Sequence, residues 1–253
     1  MLKKILFILG LSLGAFAIVH AQDIAVMRKE AENFEKDLKE PEALDKYKQI
    51  LAVDANNVTA LVKAAELSCS IGGRQKDKND KRLQYESAMA FAKRAIAADG
   101  YSADSYYAVA MVSGKMTEIE TENKKLVAYV RGAKFYADKA IQINPNHAKA
   151  NFTEGRWHYE MATLAGLKKA AAKVVYGGLP NATLDSAIYY LEKCKTLAPY
   201  FVLNYYYLNK AYKEDNRPTK QIEVLGRMVK LPTRSIDDIG MKADAAQQLQ
   251  DLQ

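Results

Sequence analysis

Side chains able to do acid–base, nucleophilic or metal chemistry are few and scattered in this chain. There are 3 histidines. His20 falls in an apolar N-terminal segment, which leaves His147 at a turn and His158. The run His158-Tyr159-Glu160 matches one half of a zinc deaminase signature, where a histidine holds the metal and a glutamate moves the proton. The paired cysteines that complete that ligand set are missing. There is no H-E-x-x-H, no G-x-S-x-G and no phosphate-cradling glycine loop. Gly72-Gly73 and Gly177-Gly178 are isolated pairs of the kind that stop helices. Glu118, Glu120 and Glu122 alternate within a charged stretch and read as solvated. No nucleophile, base and orienting group converge, so the sequence predicts no enzyme, no metal and no cofactor.

The elements are carried by a recurring small-residue pattern. Ala43, Tyr47, Ile50 and Ala55 have the same spacing as Ala88, Ala92, Ala95 and Gly100. Ala133, Ala137, Ala140 and Pro145 repeat it, as do Ala187, Leu191, Cys194 and Pro199. Each set steps by four, three and five and ends at a turn, which is the second-helix pattern of a tetratricopeptide repeat. Counting back gives Ile24–Asn57 and Val202–Ser235 at 34 residues, the usual unit. Val58–Ser102 and Ala103–His147 have 45, and Ala148–Phe201 has 54. The excess is expected between the helices of a pair, at Gly73–Arg82, Lys115–Lys125 and Ala165–Thr183. Within the last, Ala165–Tyr176 still reads as helix before the breaker Gly177-Gly178-Leu179-Pro180. Asn181 and Thr183 are candidate caps.

The first helices fit the same frame. The position that must be small falls on Ala31, Ala65, Ala110, Gly155 and Asn209, and Gln221 marks the last repeat as the least regular. Ile239, Ala243, Ala246 and Leu249 recur at helical spacing in Asp237–Leu252, which reads as a capping helix. No alternating stretch signals a strand. The expected fold is all-α: a right-handed tetratricopeptide-like α-solenoid of about five helix pairs plus a C-terminal capping helix. Cys69 and Cys194 fall two repeats apart, too far for a disulfide, and read as buried thiols.

A stack of this kind has a concave wall made by its first helices. The frame places Val62, Tyr107, Phe152 and Tyr206 on one ladder of that wall. Glu66, Met111, Arg156 and Lys210 form a second, and Thr59, Asp104, Lys149 and Leu203 a third, with Tyr159 and Lys213 near the helix ends. The expected partner-binding residues are therefore Tyr107, Lys149, Phe152, Arg156, Tyr159, Tyr206, Lys210 and Lys213. Aromatic faces beside Arg and Lys suit an acidic or carboxylate-bearing protein or peptide. An aromatic at helical spacing is more often a packing residue than a ligand contact, and the 165–183 insertion could fill the groove. The alternative ligand is a small apolar or acidic molecule, such as a lipid, held against Ala165–Tyr176.

Met1–Ala21 reads as a signal peptide. Lys3 and Lys4 precede the apolar run Ile5–Val19, and Val19-His20-Ala21 offers small residues at a cleavage site. The run of 15 residues is short for a membrane span, which needs about 20. Cleavage would leave Gln22 first and a single repeat domain over 22–253, exported, in bacterial terms to the periplasm. An uncleaved anchor is the rival reading. Charge is mildly basic, 37 Lys+Arg against 30 Asp+Glu, with no block of like charges. This gives little support to nucleic-acid binding.

Ala148–Leu231 resembles the regulator of microtubule dynamics family. The likeness is carried by Gly155-Arg156-Trp157-His158-Tyr159-Glu160-Met161-Ala162, by Ala171-Ala172 and by Tyr176-Gly177-Gly178-Leu179-Pro180-Asn181-Ala182-Thr183. It continues through Ala187, Leu191-Glu192-Lys193-Cys194 and Pro199. Leu179 departs from the family pattern, which has proline there. The resemblance implies an atypical tetratricopeptide scaffold without catalytic activity. Eukaryotic members are associated with microtubules or organelle membranes, and an exported bacterial form would meet no microtubules.

Overall fold

The computed structural model describes residues 23–165, 173 and 181–252. The expected leader and most of the 165–183 insertion lie outside these. Among the described residues there are eleven helices and no strand. They are α1 (residues 23–36), α2 (Glu40–Val53), α3 (Val58–Gly73), α4 (Lys78–Ala98), α5 (Ala103–Met116), α6 (Asn123–Ile143) and α7 (Ala148–Ala162). After these come α8 (Leu184–Leu197), α9 (Val202–Glu214), α10 (Pro218–Met228) and α11 (Ile236–Asp251). The helices α3, α5, α7 and α9 begin at the repeat boundaries read from the sequence. None of the described helices is long and apolar enough to cross a membrane.

Each repeat is an antiparallel pair, and successive pairs stack through their first helices: α3 meets α5, α5 meets α7 and α7 meets α9. The chain is thus a tetratricopeptide-like solenoid whose inner wall is α3, α5, α7 and α9. Ala43, Tyr47, Ile50, Ala88, Ala92, Ala95, Ala133, Ala137, Ala140, Ala187, Leu191 and Cys194 are all buried. They carry small or slim side chains because two helix axes cross there at close range. Helix starts are set locally. Asn57, Asp77, Ser102, His147, Thr183 and Ser235 each accept a backbone N–H through a side chain at the N-cap. Cys69 and Cys194 are buried and unpaired, on α3 and α8.

Three expectations are corrected. First, the 11-residue excess in the second and third repeats is mostly helix, not linker: α4 and α6 each have 21 residues against 14 in α2. A polar, charged segment reads as a loop when its helix face meets only water. Here Asp77 caps α4, accepting from Asn79 and Asp80, so the helix starts within Gly73–Arg82. The two 34-residue repeats instead turn tightly through Leu38 (φ 59°) and Asn216 (φ 52°), at the same place in each unit. Second, α7 ends at Ala162, and residues 163–165 are not helical. The helix expected over Ala165–Tyr176 therefore does not begin at Ala165; residue 173 is helical, and the rest of that stretch lies outside the described residues. Third, α11 forms but buries another face. Asp238 and Ala245 are buried, with Met241 and Leu249 half-buried, while Ile239 is 57% exposed and Ala243 and Ala246 face solvent.

Candidate partner-binding groove

The concave side encloses a groove of about 1570 Å³. One wall comes from α3, α5 and α7. The other comes from the first turns of α6, the α8–α9 connection Leu197–Leu203 and the start of α11. Arg74, at the end of α3, lines the groove and pairs with Glu40 of α2 and with Asp237 of α11, the latter at 3.1 Å. That bridge joins residues 163 positions apart.

Of the eight residues expected to bind a partner, Tyr107, Lys149, Phe152 and Arg156 line this groove. Tyr107 and Phe152 are largely packed. Phe152 sits edge-on to Phe201 (5.0 Å) and Tyr207 (5.7 Å), and Tyr107 packs against His147 (5.1 Å). The other four lie on a neighbouring patch outside the groove lining. Lys210 is 5.0, 5.6 and 5.2 Å from the rings of Tyr159, Tyr206 and Tyr207. Tyr159 is buried, which pushes its phenol up to about 12, and Lys213 is exposed. A cation over three aromatic faces is held by ring quadrupoles rather than by a carboxylate.

The groove is not simply basic, because most of its cations are paired. Glu66 on α3 takes Lys149 of α7 at 2.5 Å and Lys63 at 3.7 Å. Lys63 reaches Glu35 of α1 at 2.8 Å, and Glu35 accepts the Tyr47 hydroxyl of α2 at 2.6 Å. Burial alone would raise the Glu66 carboxyl. The Lys149 and Lys63 ammoniums outweigh it and bring the pKa down to about 2. In the second cluster Arg156 lies 3.4 Å from Glu118 and 4.0 Å from Glu160, with its guanidinium 5.2 Å over Tyr207. Glu118 also meets Lys115 at 3.1 Å and accepts the Tyr85 hydroxyl at 2.9 Å. The lining also includes the apolar side chains Met111, Leu126, Val130, Trp157, Met161 and Leu164.

A family model described as regulator of microtubule dynamics protein 1-3 matches residues 27–253. The chain belongs to this family. Regulator of microtubule dynamics protein 1 of Bos taurus is 26% identical over 208 residues, covering 81% of this chain and 64% of that one. Protein 3 of Rattus norvegicus is 27% identical over 144 residues, covering 56% of this chain and 30% of that one. The chain therefore spans less than two thirds of these relatives. Among solved structures, a thermophilic TPR protein of Thermus thermophilus superposes with a TM-score of 0.64 at 13% identity, over 88% of this chain and 99% of that one. At that identity the likeness concerns the fold.

In this member of the family the stretch carrying the resemblance is largely packing. Gly155 stands where a Cβ would come 2.7 Å from Leu191 Cγ and 3.1 Å from the Ala187 carbonyl oxygen. Trp157 Nε1 donates to the Val130 carbonyl at 3.0 Å, which pins α7 to α6. His158 is buried, stacked on Tyr190 and 3.2 Å from the fully buried Glu154, which also takes Lys134 at 2.6 Å. Among the described residues, no group of three His, Cys, Asp or Glu could hold a metal ion. Apart from Leu203, the sequence reading missed the opposing wall, with Arg74, residues 197–202 and Arg234. No local pattern marks it, because solenoid curvature alone brings α11 near α3.

Proposed function

We propose that this chain is a non-catalytic tetratricopeptide-repeat scaffold that binds a protein or peptide partner in its concave groove. The observation that carries this reading is the groove itself. It is about 1570 Å³, walled in part by first helices and lined by apolar side chains together with two neutralised ion clusters. Ligands favour concave, mostly apolar sites with a few fixed polar groups. Mapping amide hydrogen exchange with and without a captured native partner tests it. Protection should concentrate on α3, α5 and α7. Protection confined to α4 and α8, or a tightly co-purifying lipid in place of a protein, would overturn it.

We also propose that the chain is exported and that its leader is removed after Ala21, on the basic, apolar, small-residue order of Met1–Ala21. N-terminal sequencing of protein from its native host should begin at Gln22. Membrane-bound protein retaining Met1 would establish the anchor instead.

A further inference from the structure

The charges lining the groove can be matched one against another. Lys63, Lys115, Lys149 and Arg156 are each paired with a groove carboxylate, and Arg74 with Asp237. Asp238 is consumed in the α11 capping box, accepting from Ser235 and from the Arg234 backbone N–H. One groove cation is left. The guanidinium of Arg234 has no hydrogen-bond or ion-pair partner among the described residues and sits over the Tyr200 ring, 4.7 Å from its centroid. Among the described residues the groove therefore presents one uncommitted positive charge, and its lining also includes the apolar residues Pro199, Phe201, Leu203 and Met241.

Several of the remaining polar groups are also spoken for among the described residues. Trp157 donates to Val130, Thr117 to Gly114, Thr153 to Lys149 and Ser235 to Asp238. An extended peptide buried here would bring one N–H and one C=O per residue with few partners to meet them, which is costly. An α-helix satisfies those groups itself, and its C-terminus carries partial negative charge. At a diameter of about 10 Å and a rise of about 1.5 Å, a helix fills roughly 120 Å³ per residue, so the groove holds on the order of 13 residues.

Building on the groove reading, we propose that the occupant is an apolar α-helix of a partner protein, three to four turns long, whose free C-terminal carboxylate is received by Arg234 on its Tyr200 platform. This is the helix-in-groove mode of recognition, with the end of the helix setting its direction. Arg234 is exposed, so its pairing with a carboxylate adds affinity only about three- to fivefold.

The test is selection from two libraries of randomised 14-residue peptides, one displayed with free C-termini and one with C-termini blocked by fusion. Enriched sequences should come from the free-ended library, carry apolar residues at i, i+3, i+4 and i+7, and lack internal proline. Synthesised as peptides, they should lose three- to fivefold in affinity on C-terminal amidation. Arg234→Gln should remove that difference, the free-ended and amidated peptides then binding alike. Binders that alternate apolar and polar residues, tolerate proline or ignore amidation would overturn the helix proposal and leave the groove reading standing. No enrichment from either library, with the wild-type protein folded by circular dichroism, would overturn both.

Discussion

Gly155→Ala should destabilise the protein although alanine is the better helix former. Gly155 lies in the middle of α7, where replacing glycine by alanine would by itself favour the helix by about 1 kcal/mol. The new Cβ, however, would stand 2.7 Å from Leu191 Cγ, 3.0 Å from Leu191 Cδ2 and 3.1 Å from the carbonyl oxygen of Ala187. The Leu191 side chain is fully buried and the Ala187 carbonyl belongs to α8, so neither can yield without moving a helix. Overpacking of this kind costs about 1–3 kcal/mol, which leaves a net loss of about 1 kcal/mol. Gly155→Leu should lose more. Gly226→Ala and Gly240→Ala are the controls, since a Cβ at either position meets nothing within 4 Å. Each should show the unopposed gain of up to about 1 kcal/mol. Urea unfolding followed by helix content measures all four. In a Leu191→Ala background the loss at Gly155 should shrink or reverse, a coupling of about 1–3 kcal/mol. Gly155→Ala stabilising as much as the controls would refute the close α7–α8 contact and the repeat alignment with it.

The remaining predictions concern charge and backbone. The Glu66 carboxyl is held at about 2, below its ordinary 4.5, so its contribution is present above pH 4.5 and lost as pH falls toward 2. That contribution is about 3 kcal/mol, and Glu66→Gln should lower stability near neutrality and flatten the acid limb of a pH–stability curve. Arg156→Ala should cost about 1–2 kcal/mol in chemical denaturation, because it strips Glu118 and Glu160 of a largely buried partner. Leu38→Gly should raise the melting temperature, since a leucine at φ 59° carries about 1–2 kcal/mol of left-handed strain that glycine lacks.

The parts of the fold that were readable in the sequence are those fixed by contact between neighbouring helices. Ala88, Ala92 and Ala95 are small because a helix crosses there, so their spacing reports the crossing directly. Lys78–Arg82 carried no such mark. A solvated helix face and a polar loop have the same composition, and only the cap at Asp77 separates them. The α11 reading failed on face rather than existence. Ile239 and Ala243 share a helix stripe with each other, but the end of a solenoid offers its neighbour a polar position too, and Asn209 takes Gln248 at 3.0 Å. In the groove, the sequence frame found the wall residues Tyr107, Lys149, Phe152 and Arg156. It missed that Glu66 and Glu118 neutralise Lys149 and Arg156, since those two pairs join segments far apart in sequence, whereas Arg156 and Glu160 are an i, i+4 pair within α7 that the spacing did offer.

The central claim is that a partner lies against the inner wall, and photo-crosslinking in the native host tests it most directly. A photoreactive residue placed at Val130 or Met161, both lining the groove, should capture a discrete protein. The same residue at Leu83, 64% exposed on the second helix α4, should capture none. Capture at Leu83 with none at Val130 and Met161 would contradict the groove as the binding surface.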